Sequence, residues 1–303
     1  MPFVTVNGIK HHYMQQGSGP DVVLIHGMGG NISFWHANKA LAALKRNFRV
    51  TVYDLRGHGY SDFVKSGYTS KDLSEDLGAL LKAVGVQKAY LAGHSLGGLV
   101  ALHTAFLYPE RVAGIILAEG NVPALRHLID LDKWTYRQQR DDMLRDIDPR
   151  LPEMVRGQDI FYLEYRLKNA KKEIGDSDLN QFGLRKGMAV KGKAVLRLLE
   201  ETTIKKDVRD VAGLTEACIR TVTQPTLALY GEYSPLIPVS EYLRDHLANC
   251  TQEIIPKACH LFPARMPDNF VHSLSAFLFK VAKAEPNEVH YAAHATAPTA
   301  QVA

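Results

Sequence analysis

Cysteine is scarce in this chain. Cys218, Cys250 and Cys259 are the only three in 303 residues, an odd number with no C-x-x-C spacing. That argues against a disulfide framework or a zinc site and fits a reducing cytoplasm. Long apolar runs are missing too. No stretch approaches the roughly 18–20 apolar residues of a membrane-spanning helix. Met1–Lys10 lacks the charged-then-apolar layout of a signal peptide. Nor does one charge dominate: 36 basic residues face 32 acidic ones, a net charge of +4. The densest basic run, Arg166–Lys172, has four basic side chains and no aromatic, as a solvated helix face does. Neither a nucleic-acid footprint nor a membrane partner is expected.

What is present is enough apolar material for a large core plus an inserted subdomain, at 46% hydrophobic residues. Three regions follow one another. Over residues 1–120, short apolar runs alternate with helical stretches. Phe3–Val6 and Ile9–Gln15 form a hairpin signal around Asn7-Gly8. Asp21–Ile25, Phe48–Tyr53, Ala89–Ala92 and Val112–Leu117 are continuous apolar runs, as strands buried on both faces are. Between them Ser33–Lys45, Ser70–Val84 and Leu96–Leu107 are read as helices. The alternation predicts an α/β fold with a doubly wound, mostly parallel sheet. Residues 121–221 are rich in charge and helix formers, at His127–Leu144, Asp159–Lys172 and Lys193–Thr202, and are read as an inserted helical cap. Residues 222–283 resume the alternation: strand Thr226–Tyr230, helix Val239–Ala248, strand Gln252–Ile255 and helix Asn269–Lys283. Residues 284–303 are low in apolar content and are expected to be disordered.

Chemistry enters at Gly93-His94-Ser95-Leu96-Gly97-Gly98, a G-x-S-x-G sequence between a strand run and a helical run. In that context it reads as a nucleophile elbow, with Ser95 strained at the apex and the glycines letting backbones meet. His94, on the same sharp turn, is expected to point away under the sheet in a structural role. An oxyanion hole needs two converging amides. Leu96 should supply one. Met28, in His26-Gly27-Met28-Gly29-Gly30 after the third strand, should supply the other.

These motifs, with Asp54-Leu-Arg56-Gly57-His-Gly59-Tyr-Ser61, and with His260 and Pro267 beyond, resemble the α/β-hydrolase superfamily. The resemblance is to its capped esterase, lactonase and carbon–carbon hydrolase members and runs from about Val4 to Ala282. It implies the order nucleophile, acid, histidine, an architectural role for Asp54, and a packing role for Trp35 beneath the site. The loop Lys257–Pro263 follows the last strand, so His260 is the implied base. Cys259, where relatives carry glycine, is read as structural. The acid departs from pattern. The aspartate position after strand seven, in Gly231-Glu232-Tyr233-Ser234-Pro235, holds Ser234. Glu119, at the end of strand six, is the preferred acid, as in some lactonases and dehalogenases. Glu232 is the alternative.

The expected activity is a serine hydrolase, acting on a carboxylic ester or lactone through an acyl-enzyme, with no metal or organic cofactor. Serine rather than aspartate as nucleophile argues against dehalogenase and epoxide hydrolase chemistry. A carbon–carbon hydrolase or perhydrolase on the same triad is an alternative reading. A hydrolase-fold ligand-binding or signalling protein with little turnover is another. The partner is a small acyl substrate, apolar or aromatic, selected by the cap and some of Trp134, Tyr136, Phe161, Tyr162, Tyr165 and Phe182. A homo-oligomer is left open.

Overall fold

Alternation of apolar side chains along each strand builds two cores on one sheet. In a computed structural model describing residues 2–138 and 188–282, eight strands lie in the order β1-β2-β4-β3-β5-β6-β7-β8. They are β1 Phe3–Val6, β2 Ile9–Gln16, β3 Asp21–Ile25, β4 Arg49–Tyr53, β5 Ala89–His94, β6 Val112–Ala118, β7 Thr226–Gly231 and β8 Cys250–Ile255. β1 and β2 run antiparallel to their neighbours, and β3 to β8 are mutually parallel. Successive strand residues point to opposite faces. Val23, Ile25, Leu91, Ile115, Leu117 and Tyr230 join one core. Val22, Leu24, Ala92, Ile116, Leu227 and Leu229 join the other. The hairpin turn sits where Asn7 and Gly8 were read, both with positive φ (51° and 74°).

The described helices are α1 Ser33–Ala37, α2 Ala40–Leu44, α3 Ser70–Ala83, α4 Leu96–Leu107, α5 Met188–Glu201, α6 Ile204–Asp207, α7 Glu216–Arg220, α8 Ile237–His246, α9 Phe262–Arg265 and α10 Pro267–Ala282. α3 and α4 cover one face of the sheet, and α2 and α10 the other. α3 starts at a capping box between Thr69 and Asp72. The single helix read over Ser33–Lys45 is two. Asn38 Oδ1 accepts the Ala40 amide at 3.1 Å, and Lys39 takes φ 66°, which interrupts the helical ladder. α8 and α10 each begin two residues earlier than the sequence places them, at Ile237 and Pro267.

Between β6 and β7 the described residues contain no strand. A 3-10 helix runs over Pro123–Leu128, and residues 129–136 hold turns where the helix His127–Leu144 was read. Asp130 Oδ1 accepts the amides of Asp132 and Lys133 there, an alternative to the helical ladder. α5 overlaps the helix read over Lys193–Thr202. Its Leu198 and Leu199 form a small apolar cluster with Tyr68 and Ile204, with Met28 and Phe63 packed beside them. The expected helix Asp159–Lys172, the aromatics Phe161, Tyr162, Tyr165 and Phe182, and residues 284–303 lie outside the described residues. Among the described residues no helix is long and apolar enough to cross a membrane.

Candidate active site

The chain leaves β5 and enters α4 through Ser95 alone. Ser95 has φ 54° and ψ −117°, a conformation that costs a non-glycine residue about 1–3 kcal/mol. Its amide donates to the Ala118 carbonyl at 2.9 Å, which ties the apex to the end of β6. The glycines are required by contact. A Cβ at Gly93 would lie 2.0 Å from the Gly97 carbonyl oxygen, and one at Gly97 would lie 2.0 Å from that of Ile25. The elbow therefore locks against both α4 and the loop after β3.

That loop is a tight turn. The Gly30 amide donates to the Gly27 carbonyl at 3.0 Å, and Gly29 adopts φ 72°. A Cβ at Gly27 would lie 3.1 Å from the Ser95 Cβ, so the turn abuts the nucleophile position. Of the two expected oxyanion donors, Met28 follows Gly27 in this turn and Leu96 is the first residue of α4. The first four amides of a helix have no intrahelical acceptor. His26 fastens the turn from below, a role the sequence reading did not assign. Its Nδ1 donates to the Gly27 carbonyl at 2.8 Å, and its Nε2 accepts the Leu55 amide at 3.1 Å. Burial lowers its pKa, so it is neutral in that tautomer.

The loop after β8 brings in His260. Its Nε2 is 3.1 Å from Ser95 Oγ, and its Nδ1 is 3.3 Å from Glu119 Oε2. The His260 side chain is 42% exposed, whereas the Glu119 carboxylate is fully buried. Glu119 follows β6 with φ 57°. Its Oε1 accepts the Gly231 amide at 2.7 Å, and its Oε2 accepts the Ser234 hydroxyl at 2.6 Å. Ser95, His260 and Glu119 are thus brought together. Glu232 is not part of that cluster. It is exposed, its Oε2 accepts the Lys257 amide at 2.7 Å, and Tyr136 donates to its Oε1 at 3.4 Å.

His94 departs from its expected direction. Rather than turning beneath the sheet, its ring reaches the histidine loop, where Nε2 donates to the His260 carbonyl at 2.9 Å. Burial, with His260 nearby, pushes its pKa down to about 3, so the ring is neutral. Phe34 stacks on it at 5.1 Å between centroids, and Trp35 packs edge-on against Phe34 at 4.9 Å. No local sequence signal distinguishes this reach from a downward one. Asp54 holds a buried turn: it accepts the Ile32 and Tyr60 amides at 2.7 and 2.9 Å and bonds His12 Nδ1 at 2.8 Å. Cys259 supplies the carbonyl that accepts the Phe262 amide at 2.8 Å. Among the described residues no group of three or more His, Cys, Asp or Glu could hold a metal ion.

A parallel sheet that lifts a strained serine against an imidazole backed by a buried carboxylate defines a class of fold and site. The chain belongs to the alpha/beta hydrolase fold family, whose model matches residues 20–263. It is similar to a pimeloyl-[acyl-carrier protein] methyl ester esterase of Pectobacterium carotovorum, 28% identical over 277 residues, covering 88% of this chain and 97% of that one. It is 36% identical over 133 residues to a putative carbamate hydrolase RutD of Cronobacter sakazakii, covering 43% and 46% of the two chains. The match spans only 35% to 46% of the length of several curated relatives, among them an uncharacterized Mycobacterium tuberculosis protein. In fold it resembles the enol-lactonase of Burkholderia xenovorans, with a TM-score of 0.66 at 21% identity over 91% of this chain and 99% of that one.

Proposed function

We propose that this chain hydrolyses a carboxylic ester or lactone through an acyl-enzyme on Ser95, His260 and Glu119. The observation that carries this is the pair of contacts on one imidazole: 3.1 Å to Ser95 Oγ and 3.3 Å to Glu119 Oε2. Glu119 accepts from Nδ1–H, which leaves the Nε2 lone pair facing the hydroxyl. His260 takes the Ser95 proton as Oγ attacks the carbonyl carbon. The amides of Met28 and Leu96 receive the developing oxyanion, each worth about 3–4 kcal/mol in such sites. The imidazolium protonates the leaving alcohol. Water then attacks the acyl-enzyme with His260 again as base. In a lactone, leaving group and acyl group remain one molecule.

In the same reading, residues 1–120 and 222–283 form the core, and residues 121–221 a cap that selects a small apolar or aromatic acyl substrate. Its support is the packing of Val195 close to Gly29, and of Met28 beside the α5 cluster, which puts apolar side chains over the oxyanion turn. The methyl ester esterase and enol-lactonase likenesses agree with ester or lactone cleavage. The test is covalent labelling by a fluorophosphonate, together with hydrolysis of p-nitrophenyl butyrate and a lactone panel. Wild type should label and turn over, and Ser95→Ala should do neither. Labelling that persists in Ser95→Ala, or a wild type inert to every probe, would overturn the proposal.

A further inference from the structure

We propose that Ser234 is a positioning residue for Glu119: its hydroxyl holds the carboxylate in the orientation that meets His260. The inference rests on the triad reading above and goes beyond it. Ser234 occupies the place after β7 where the resemblance puts an aspartate, so from sequence it looks like a loss. In the structure its Oγ lies 2.6 Å from Glu119 Oε2, the same oxygen that faces His260 Nδ1. Ser234 is 1% exposed. Its Oγ also accepts the Leu236 amide at 3.1 Å. With that donor already placed on the oxygen, the single hydroxyl proton is directed to Glu119.

The two anchors of the carboxylate come from one turn. The Gly231 amide donates to Oε1 at 2.7 Å and the Ser234 hydroxyl to Oε2. The Ser234 amide closes that turn on the Gly231 carbonyl at 3.0 Å. A Cβ at Gly231 would lie 2.4 Å from the Ala258 carbonyl oxygen, so the turn is also wedged against the loop that carries His260. Glutamate has one more rotatable bond than aspartate, and a carboxylate held at one oxygen only can swing about its last torsion. Ser234 removes that freedom and leaves one lone pair of Oε2 for Nδ1–H. The position after β7 thus aims a carboxylate supplied by β6.

The test is a double-mutant cycle read in p-nitrophenyl butyrate turnover and in the rate of fluorophosphonate labelling. Ser234→Ala should lower kcat and labelling rate about 10- to 100-fold, the size expected for losing a hydrogen bond to a charge, with KM within about twofold. Ser234→Thr, which keeps the hydroxyl, should stay within about threefold of wild type; thermal melts identify any variant that is not folded. In the Glu119→Gln background, Ser234→Ala should cost less than about twofold more, because Ser234 acts through the carboxylate. Equal losses in both backgrounds, or wild-type kcat in Ser234→Ala, would overturn the inference. A fully active Glu119→Gln would instead overturn the triad reading. A crippled Glu119→Gln beside an unaffected Ser234→Ala would sink this inference alone.

Discussion

The two glutamates at the tips of β6 and β7 differ in what surrounds them rather than in what they are. Glu119 is buried, and both its oxygens are anchored before His260 is reached. Glu232 is exposed, and its bonds fold a surface turn at Lys257, which sits at φ 55°. Each lies near the same histidine loop, one on its buried side and one on its open side. Water competes less for a buried carboxylate than for an exposed one, which supports the buried side as the source of the proposed acid. Proximity in sequence to the expected aspartate position favours Glu232. Convergence of donors favours Glu119.

The largest expected effect separates the two directly. Glu119→Gln should lower kcat about 10⁴-fold, as loss of the orienting carboxylate does in such triads. Glu232→Gln should leave kcat within about twofold of wild type on the same ester. Comparable losses from both would break the contrast. A loss from Glu232→Gln alone would invert it.

Acid should next expose the buried side. Burial pushes His58, in the Asp54–Ser61 turn beside His26, and His94 each down to about 3. Their folded values lie below the unfolded value of about 6.5, so on acidification the unfolded chain takes up protons that the folded chain refuses. Their contribution to stability is then full above about pH 6.5 and is lost toward pH 3, at roughly 1 kcal/mol per pH unit for each such histidine. Urea midpoints measured from about pH 7 down to about pH 4 should drop steadily, and His94→Phe should flatten the slope. A midpoint constant over that range would contradict the burial argument. The same variant tests the reach of His94 to the His260 carbonyl. Losing that bond should lower kcat by about fivefold with little change in KM, since the hydrogen bond is worth roughly 1 kcal/mol.

Much of this contrast was legible along the chain. The strands show as continuous apolar runs because both faces of a parallel sheet are covered. Ser95 shows because a strained apex needs glycines at fixed local offsets. Glu119 could be nominated because the resemblance puts an acid at the end of strand six in some relatives. What was not legible is how Glu119 is held. Its partners Gly231 and Ser234 lie more than a hundred residues away, and a serine carries no mark of what it donates to. His94 was misdirected for the same reason, since its acceptor is a backbone carbonyl on another loop. The break at Asn38 was missed although its cause is local: one side-chain oxygen competes with the helix for the Ala40 amide.

The smallest expected effect lies on the open side. Glu232→Gln weakens a charge-assisted bond to the Lys257 amide into a neutral one, but the side chain is exposed and water can replace what is lost. The cost should be at most about 1 kcal/mol. Lys257 holds a backbone conformation that suits glycine better than lysine. Lys257→Gly should therefore recover a few tenths of a kcal/mol, net of the extra freedom it gives the unfolded chain. Thermal melts of the two single variants and the double variant would measure both terms. If the double variant melts near wild type and turns over p-nitrophenyl butyrate at the wild-type rate, the open side of the loop is a matter of local folding. If turnover falls as the turn loosens, the turn helps hold His260 in place, and the two sides are coupled.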